Sequence, residues 1–243
     1  MKRIFTDLHL HVNLTNQQTT QQVINKAKDF GYRKIGIPLT VQQQDRTSNL
    51  KEICSQLGMD CVSRIDYKPR NQEDLTRFLR KYRRKTEIVC IVCDNKEIAR
   101  QAAKDRRVDL LNFPSLDYRK RFFDRAEAEL ASNALTALEI DAKPLLVLEG
   151  PPRIRMLSCL RREVAVAREF RIPIVLSSGV SEINLMRTPM DLASLGYLFG
   201  LNETEALDAI STNSDAIVTR NREKLSSSFV APGITIVKED KTV

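Results

Sequence analysis

Glu87-Ile-Val-Cys-Ile-Val-Cys93, or EIVCIVC, is apolar without alternation after its first residue. A strand with one wet face alternates polar and apolar side chains. A strand buried on both faces does not, and that condition belongs to parallel sheets covered by helices. On either side of this segment the pattern turns helical. Asn71 opens a helix running to about Lys85, and Asp94 or Asn95 caps another over Lys96–Arg107. Beyond those helices lie two more strand-like runs, Asp60–Tyr67 (DCVSRIDY) and Val108–Phe113 (VDLLNF).

The same alternation continues outward in both directions. Toward the N-terminus come a helix over Ser48–Leu57, a polar loop over Gln42–Thr47 and a strand at Lys34–Leu39 (KIGIPL). A further helix is capped at Thr19-Thr20 and stopped near Phe30-Gly31, and the first strand is Arg3–His11 (RIFTDLHLH). Toward the C-terminus the pattern predicts a helix over Arg119–Asn133, a strand at Ala137–Asp141 and a helix over Arg153–Arg171. A seventh strand follows at Ile172–Ser177. From Pro189 to about Leu225 the chain reads as helical, broken near Gly200 and recapped at Asn202. Seven strands alternating with helices in about 225 residues imply an α/β protein with a closed, TIM-like barrel. No glycine fingerprint follows the first strand, which weighs against a dinucleotide-binding sheet. With no Pro/Gly/Ser linker before Ser226, residues 1–225 are expected to form one domain. Residues 226–243 are expected to be a poorly ordered tail in which Ile234-Thr-Ile-Val237 could pair as a strand.

Composition narrows the function classes. Hydrophobic residues make up 42% of the 243 and charged residues 29%, a soluble globular balance. Cys54, Cys61, Cys90, Cys93 and Cys159 are an odd set without framework spacing, which predicts reduced thiols. Met1-Lys2-Arg3 runs into Ile4-Phe5-Thr6-Asp7 rather than an apolar signal core, and no segment approaches the length of a membrane span. These features predict a cytoplasmic protein without membrane contact. The net charge of +8 is concentrated between Arg64 and Arg125, where 18 Lys+Arg face 10 Asp+Glu, while the remaining residues balance at 21 each. A surplus held in one block predicts a positive surface and a polyanionic partner.

Three constellations bear on chemistry. Asp7-x-His9-x-His11 ends the first strand, where period two places the three side chains on one face and where barrel enzymes carry their sites. Two imidazoles and a carboxylate can begin a metal site, with a fourth ligand available from Asp66, Asp117, Glu139, Asp141 or Glu149. Against this, His9 and His11 are the only histidines in the chain. Two histidines hydrogen-bonded at a barrel mouth are the better account of the motif. Cys90-x-x-Cys93 lies within an apolar strand, so the two thiols face opposite sides and cannot clamp one ion. Third, two expected helices each carry an apolar and a basic stripe. Leu75, Phe78, Leu79 and Tyr82 face the core, with Arg77, Arg80, Lys81 and Arg84 on another face. In the next helix Ile98, Ala99, Ala102 and Ala103 face inward, with Lys96, Arg100, Lys104 and Arg107 outward. Together with Arg119-Lys120-Arg121 these stripes suit nucleic-acid phosphates, and equally an acidic protein. Ser177-Ser178-Gly179 is a tight turn whose amides could hold an anion.

The Asp7-x-His9-x-His11 opening resembles that of the polymerase-and-histidinol-phosphatase (PHP) phosphoesterases, which use a (β/α)7 barrel and several further histidines to hold metals. A longer ordered series is similar to another family. FTDLHLHV at the start is followed by Val108–Pro114 (VDLLNFP), Leu138–Leu146 (LEIDAKPLL), Leu176–Gly179 (LSSG) and Arg187–Gly196 (RTPMDLASLG). This series resembles the archaeal ribonuclease P protein component 3 family, from about Arg3 to Leu225. The resemblance implies a TIM-like (β/α)7 barrel related to the PHP fold. It also implies a non-catalytic subunit of the ribonucleoprotein that removes 5′ leaders from precursor tRNA. In that family the RNA subunit and its Mg2+ ions hydrolyse the phosphodiester, and the protein has no intrinsic cofactor. The implied partners are the ribonuclease P RNA, a second protein subunit (component 2) and, through the holoenzyme, precursor tRNA. Carried over by position, Arg119, Lys120, Lys143 and Arg187 are RNA contacts beside the helix stripes. The His-x-His departs from the family pattern and leaves open a vestigial divalent-metal site at Asp7, His9 and His11. A metal-dependent phosphoesterase centred on those three residues is the alternative.

Overall fold

The computed structural model describes residues 3–113, 116–231 and 234–236. The elements alternate as expected: β1 (Thr6–Asp7), α1 (Gln17–Asp29), β2 (Lys34–Leu39), α2 (Thr47–Gln56), β3 (Asp60–Tyr67), α3 (Gln72–Tyr82), β4 (Ile88–Val92), α4 (Lys96–Ala103), β5 (Leu110–Asn112), α5 (Arg125–Ala134) and β6 (Ala137–Asp141). Two helices, α6 (Lys143–Val147) and α7 (Gly150–Glu169), lead to β7 (Ile174–Ser177). Helices α8 (Pro189–Tyr197), α9 (Glu203–Ala209) and α10 (Thr212–Leu225) follow.

Each strand pairs in parallel with the next, in the order β1 to β7. The seven strands make a nearly closed, TIM-like α/β barrel. Between β7 and β1 the ring is bridged by single hydrogen bonds instead of a ladder. Gly179 N–H donates to the His9 carbonyl at 2.9 Å and His11 N–H to the Val180 carbonyl at 3.0 Å. The β1 segment thus bonds its neighbours well past Asp7, although its regular strand is shorter than Arg3–His11.

Strand alternation sorts the side chains into an outer and an inner set. Outside, the apolar faces of the helices cover the sheet. Leu75, Phe78 and Leu79 of α3 are buried, as are Ile98, Ala99, Ala102 and Ala103 of α4, on the faces the periodicity predicts. Inside, Leu8, Val62, Ile88, Cys90, Leu110, Ala137 and Val175 cluster with Ile217 and Val218 of α10. Helix α10 therefore plugs the N-terminal end of the barrel. Its Asn221 side chain donates to the Glu87 carbonyl and the Asp109 carboxylate, both at 2.8 Å. Its Arg222 reaches both oxygens of Asp60 at 2.7 Å and Glu87 at 2.5 Å.

Several boundaries differ from the expected ones for local reasons. Helix α1 begins earlier because Asn16, not Thr19 or Thr20, is its cap, accepting the Thr19 amide at 3.1 Å. Helix α4 ends at Ala103 and not Arg107, since the Asp105 carboxylate takes the Arg107 amide at 3.0 Å. Arg119–Asn133 is not one helix. A short turn at Tyr118–Lys120 gives way to extended backbone, and a capping box between Asp124 and Glu127 restarts the chain as α5. All five cysteines are free thiols. Cys90 lies in the inner cluster and Cys93 in the outer core, as opposite strand faces require. No helix among the described residues is long and apolar enough to cross a membrane. After α10, β8 (Phe229–Ala231) pairs antiparallel with β9 (Ile234–Thr235), so part of the ITIV segment is a strand. Of the expected tail, residues 232–233 and 237–243 lie outside the described residues.

Candidate functional site: the barrel mouth and the basic helical face

Above the apolar inner cluster the barrel interior turns polar. Arg64 and Asp66 on β3, Asn112 on β5, Glu139 and Asp141 on β6 and Ser177 on β7 point inward at and near the strand C-termini. The ring of His9 leans over them. Arg64 is fully buried, with 0% of its surface exposed. Its guanidinium grips Glu139 with two hydrogen bonds of 2.6 and 2.7 Å and Asp66 with two of 2.6 and 3.0 Å. A fifth bond reaches the Leu8 carbonyl at 2.7 Å. Glu139 also accepts from Ser177 Oγ at 2.8 Å and Asn112 Nδ2 at 2.9 Å. Burial alone would raise the Glu139 carboxyl, yet the Arg64 charge and its hydrogen bonds outweigh burial and hold it well below the usual carboxylate range.

His9 has a carboxylate at each ring nitrogen. Nδ1 is 2.8 Å from Asp141 Oδ1 and Nε2 is 3.4 Å from Asp66 Oδ2. Burial and the Arg64 charge oppose protonation, but Asp141 and Asp66 overcome both and raise the imidazole to about 9. The His11 ring lies 4.6 Å from that of His9. Burial, and then the positive charge on His9, depress it to about 4. The mouth therefore holds one imidazolium and one neutral imidazole at neutral pH.

This arrangement corrects the strand-face reading of Asp7, His9 and His11. Among the described residues, the group close enough to share an ion is His9, Glu139 and Asp141. Leu8 points into the barrel, so Asp7 faces the other way. Its carboxylate accepts the amides of His9 at 3.1 Å and Ser178 at 3.0 Å, and so joins the β1 segment to the turn after β7. Asp7 is an anchor, and the Ser178 amide considered for an anion is already occupied by it. Gly179 N–H is likewise taken, by the His9 carbonyl at 2.9 Å. Of the other candidate carboxylates, Asp66, Glu139 and Asp141 converge. Asp117 instead accepts the Arg119 amide at 3.0 Å, and Glu149 stands exposed before α7. The residue the sequence reading passed over is Arg64. Its signal was a cation at the centre of DCVSRIDY, on the inward face shared with Val62 and Asp66.

The basic residues divide by their partners. Arg77, Arg80 and Lys81 are exposed along α3, and Arg84 is exposed in the turn that follows it; none joins an ion pair among the described residues, and the same holds for Lys104, Arg119 and Lys120. The Arg119 guanidinium lies 5.8 Å from the Tyr118 ring centre. Arg100 pairs with Glu127 at 3.2 Å, Arg107 with Asp105 at 2.6 Å and Lys143 with Glu182 at 3.1 Å. Arg187 donates to the carbonyls of Asn184 and Met186 at 3.1 and 2.9 Å. Arg121 overturns its expected role. It is buried, 4% exposed, and its guanidinium closes on the buried Glu163 of α7. A phosphate cannot reach it.

Comparison with known proteins bears on the family and on the barrel fold. The family model described as RNase P subunit p30 matches residues 4–226. Ribonuclease P protein component 3 of Methanosarcina acetivorans is 28% identical over 235 residues, covering 96% of both chains. The protein of the same name from Methanocaldococcus jannaschii is 28% identical over 198 residues, covering 82% of this chain and 84% of that one. Among solved structures, a chain from the cryo-EM structure of archaeal ribonuclease P with mature tRNA superposes with a TM-score of 0.83 at 23% identity, covering 96% of this chain and 100% of that one. A crystal structure of an Agrobacterium tumefaciens protein shares the fold more loosely, with a TM-score of 0.57 at 12% identity over 90% of this chain and 97% of that one.

Proposed function

Because this chain belongs to the RNase P subunit p30 family, we propose that it is a protein subunit of a ribonuclease P ribonucleoprotein and works without catalytic chemistry of its own. In this reading it supports the RNA that removes 5′ leaders from precursor tRNA. That RNA, with its Mg2+ ions, carries out the hydrolysis, and a second protein subunit of the component 2 type pairs with this one. The observation that carries the proposal is the α3 stripe. Arg77, Arg80 and Lys81 on α3 and Arg84 in the turn after it stand exposed, with no carboxylate partner among the described residues, as does Lys104 at the C-terminal cap of α4. Cations that neutralise no internal charge are available to an external polyanion, whereas Arg121, Arg100 and Arg107 are engaged. Arg119 and Lys120 extend the same positive character toward α5, and Lys143 and Arg187 are contacts at the mouth once their weak internal bonds exchange.

Phosphate contacts release counter-ions, so binding must weaken with salt. Four contacts predict a slope of roughly −3 in log K against log salt. The test is reconstitution of precursor-tRNA cleavage from the RNA and protein subunits, with Arg80→Glu and Arg84→Glu combined. Loss of activity at fixed salt and a flatter salt slope are expected, with unchanged thermal stability. Unchanged processing and slope would refute the α3 surface as the RNA contact. Binding of a protein partner without any RNA protection would point to an acidic protein as the occupant instead.

A further inference from the structure

The resemblance of the Asp7-x-His9-x-His11 opening to PHP enzymes implies a metal cluster at the mouth, and the residues here do not fit one. We propose that the Arg64 guanidinium is a built-in counter-ion that takes the place of a divalent cation at the barrel mouth, and that removing it uncovers a metal site formed by His9, Glu139 and Asp141.

The argument is one of donors and lone pairs. A guanidinium has five N–H groups in a rigid fork. All five of Arg64 have acceptors: Nε and Nη2 on Asp66, Nη1 and Nη2 on Glu139, and Nη1 on the Leu8 carbonyl. Each oxygen of Glu139 in turn accepts at least twice. Oε1 takes Arg64 and Ser177, and Oε2 takes Arg64 and Asn112, with Cys90 Sγ at 3.6 Å. No lone pair of Glu139 is left for an ion, although its ligand atoms lie within 4.8 Å of those of His9 and Asp141. Arg64 itself is completely buried and its β3 position is held by ladder bonds to both neighbouring strands, so the charge cannot swing aside into water. A divalent ion entering the unaltered mouth would have to displace a cation that has nowhere else to go. Without Arg64, two carboxylates converge with His9, whose ring gives up one proton to solvent as the ion takes its place, and Asp66 lies beside them. That mixed oxygen and nitrogen set suits Mn2+ or Zn2+.

The test compares the unaltered chain with Arg64→Ser, each stripped with EDTA and then given 1 mM Mn2+ or Zn2+. The readouts are metal content after desalting and the thermal midpoint. The unaltered chain should retain well under one equivalent of metal, with an unmoved midpoint. Arg64→Ser should retain close to one equivalent and gain about 5 °C or more, as a ligand far above its Kd requires. Adding Asp141→Asn to Arg64→Ser should abolish that gain. If Arg64→Ser folds only when metal is present, that recovery is the same result. Arg64→Gln, which fills the space with a neutral amide, is titrated in parallel so that a folded variant decides. Near-stoichiometric metal in the unaltered chain, lost on Asp141→Asn, would overturn the proposal and revive the phosphoesterase alternative. A folded Arg64→Ser or Arg64→Gln indifferent to both metals would overturn it too.

Discussion

Raising the pH from 6.5 to 9.5 should remove a proton that the barrel mouth is built to keep. Both ring nitrogens of His9 face carboxylates, Asp141 at 2.8 Å and Asp66 at 3.4 Å, an arrangement that needs both to be protonated. The folded imidazole is raised from its ordinary 6.5 to about 9. A raised folded value means the contribution is fully present below pH 6.5 and is lost as the pH climbs from 6.5 through 9. At about 1.4 kcal/mol per pH unit, that interval corresponds to about 3 kcal/mol of folding stability. The measurement is urea unfolding at half-unit steps of pH for the unaltered chain and for His9→Gln, which can donate to only one carboxylate at a time. The difference between the two curves should shrink by about 3 kcal/mol between pH 6.5 and pH 9.5. The two histidines also give a direct readout, because they supply the chain's only imidazole NMR signals. One should titrate near 9 and the other near 4. Parallel stability curves, or two imidazoles that both titrate near 6.5, would refute the reasoning.

Two further outcomes follow from the packing. Arg121→Ala leaves the buried Glu163 without its partner and should cost about 3–5 kcal/mol, whereas the exposed Arg119→Ala should change stability by no more than about 0.5 kcal/mol; thermal unfolding of the two variants separates a structural from a surface arginine. Gly36→Ala would place its Cβ 2.5 Å from the Leu8 carbonyl oxygen, so β1 must shift away from β2. A loss of about 1–3 kcal/mol is expected, together with a lowered His9 titration midpoint by NMR as the ring withdraws from Asp141.

The barrel was legible because its periodicities are strong and repeated. EIVCIVC needs two apolar surroundings, and the amphipathic helices on either side of it can supply only the outer one. What escaped the sequence reading depends on contacts between distant residues. The regular part of β1 shrinks to Thr6–Asp7 because the chain beyond it bonds alternately to Gly36 and Val180. That same detour sends Asp7 to backbone amides and His9 to β6. Arg121 follows two other basic residues and looked like them, but Glu163 lies 42 positions away on α7 and draws it inside. Arg64 belongs to the same class, since Glu139 is 75 positions away. The break before α5 was readable, however. Asp124 and Glu127 have capping-box spacing, and the two phenylalanines before them are poor company for a basic helical face.

The plug formed by α10 has a consequence for how the polypeptide is made. Arg222 meets Asp60 across 162 positions and Asn221 meets Glu87 across 134. Leu8, Val62 and Ile88 leave the ribosome long before Ile217 and Val218 exist to cover them. The lining of the barrel is therefore a transiently wet apolar surface for most of translation, and such surfaces recruit chaperones or aggregate. Contacts this distant in sequence also slow the final step, because the loop must close before any of them is rewarded. A nascent chain halted before Ile217 should be captured by a holdase, and one released after Arg222 should escape it.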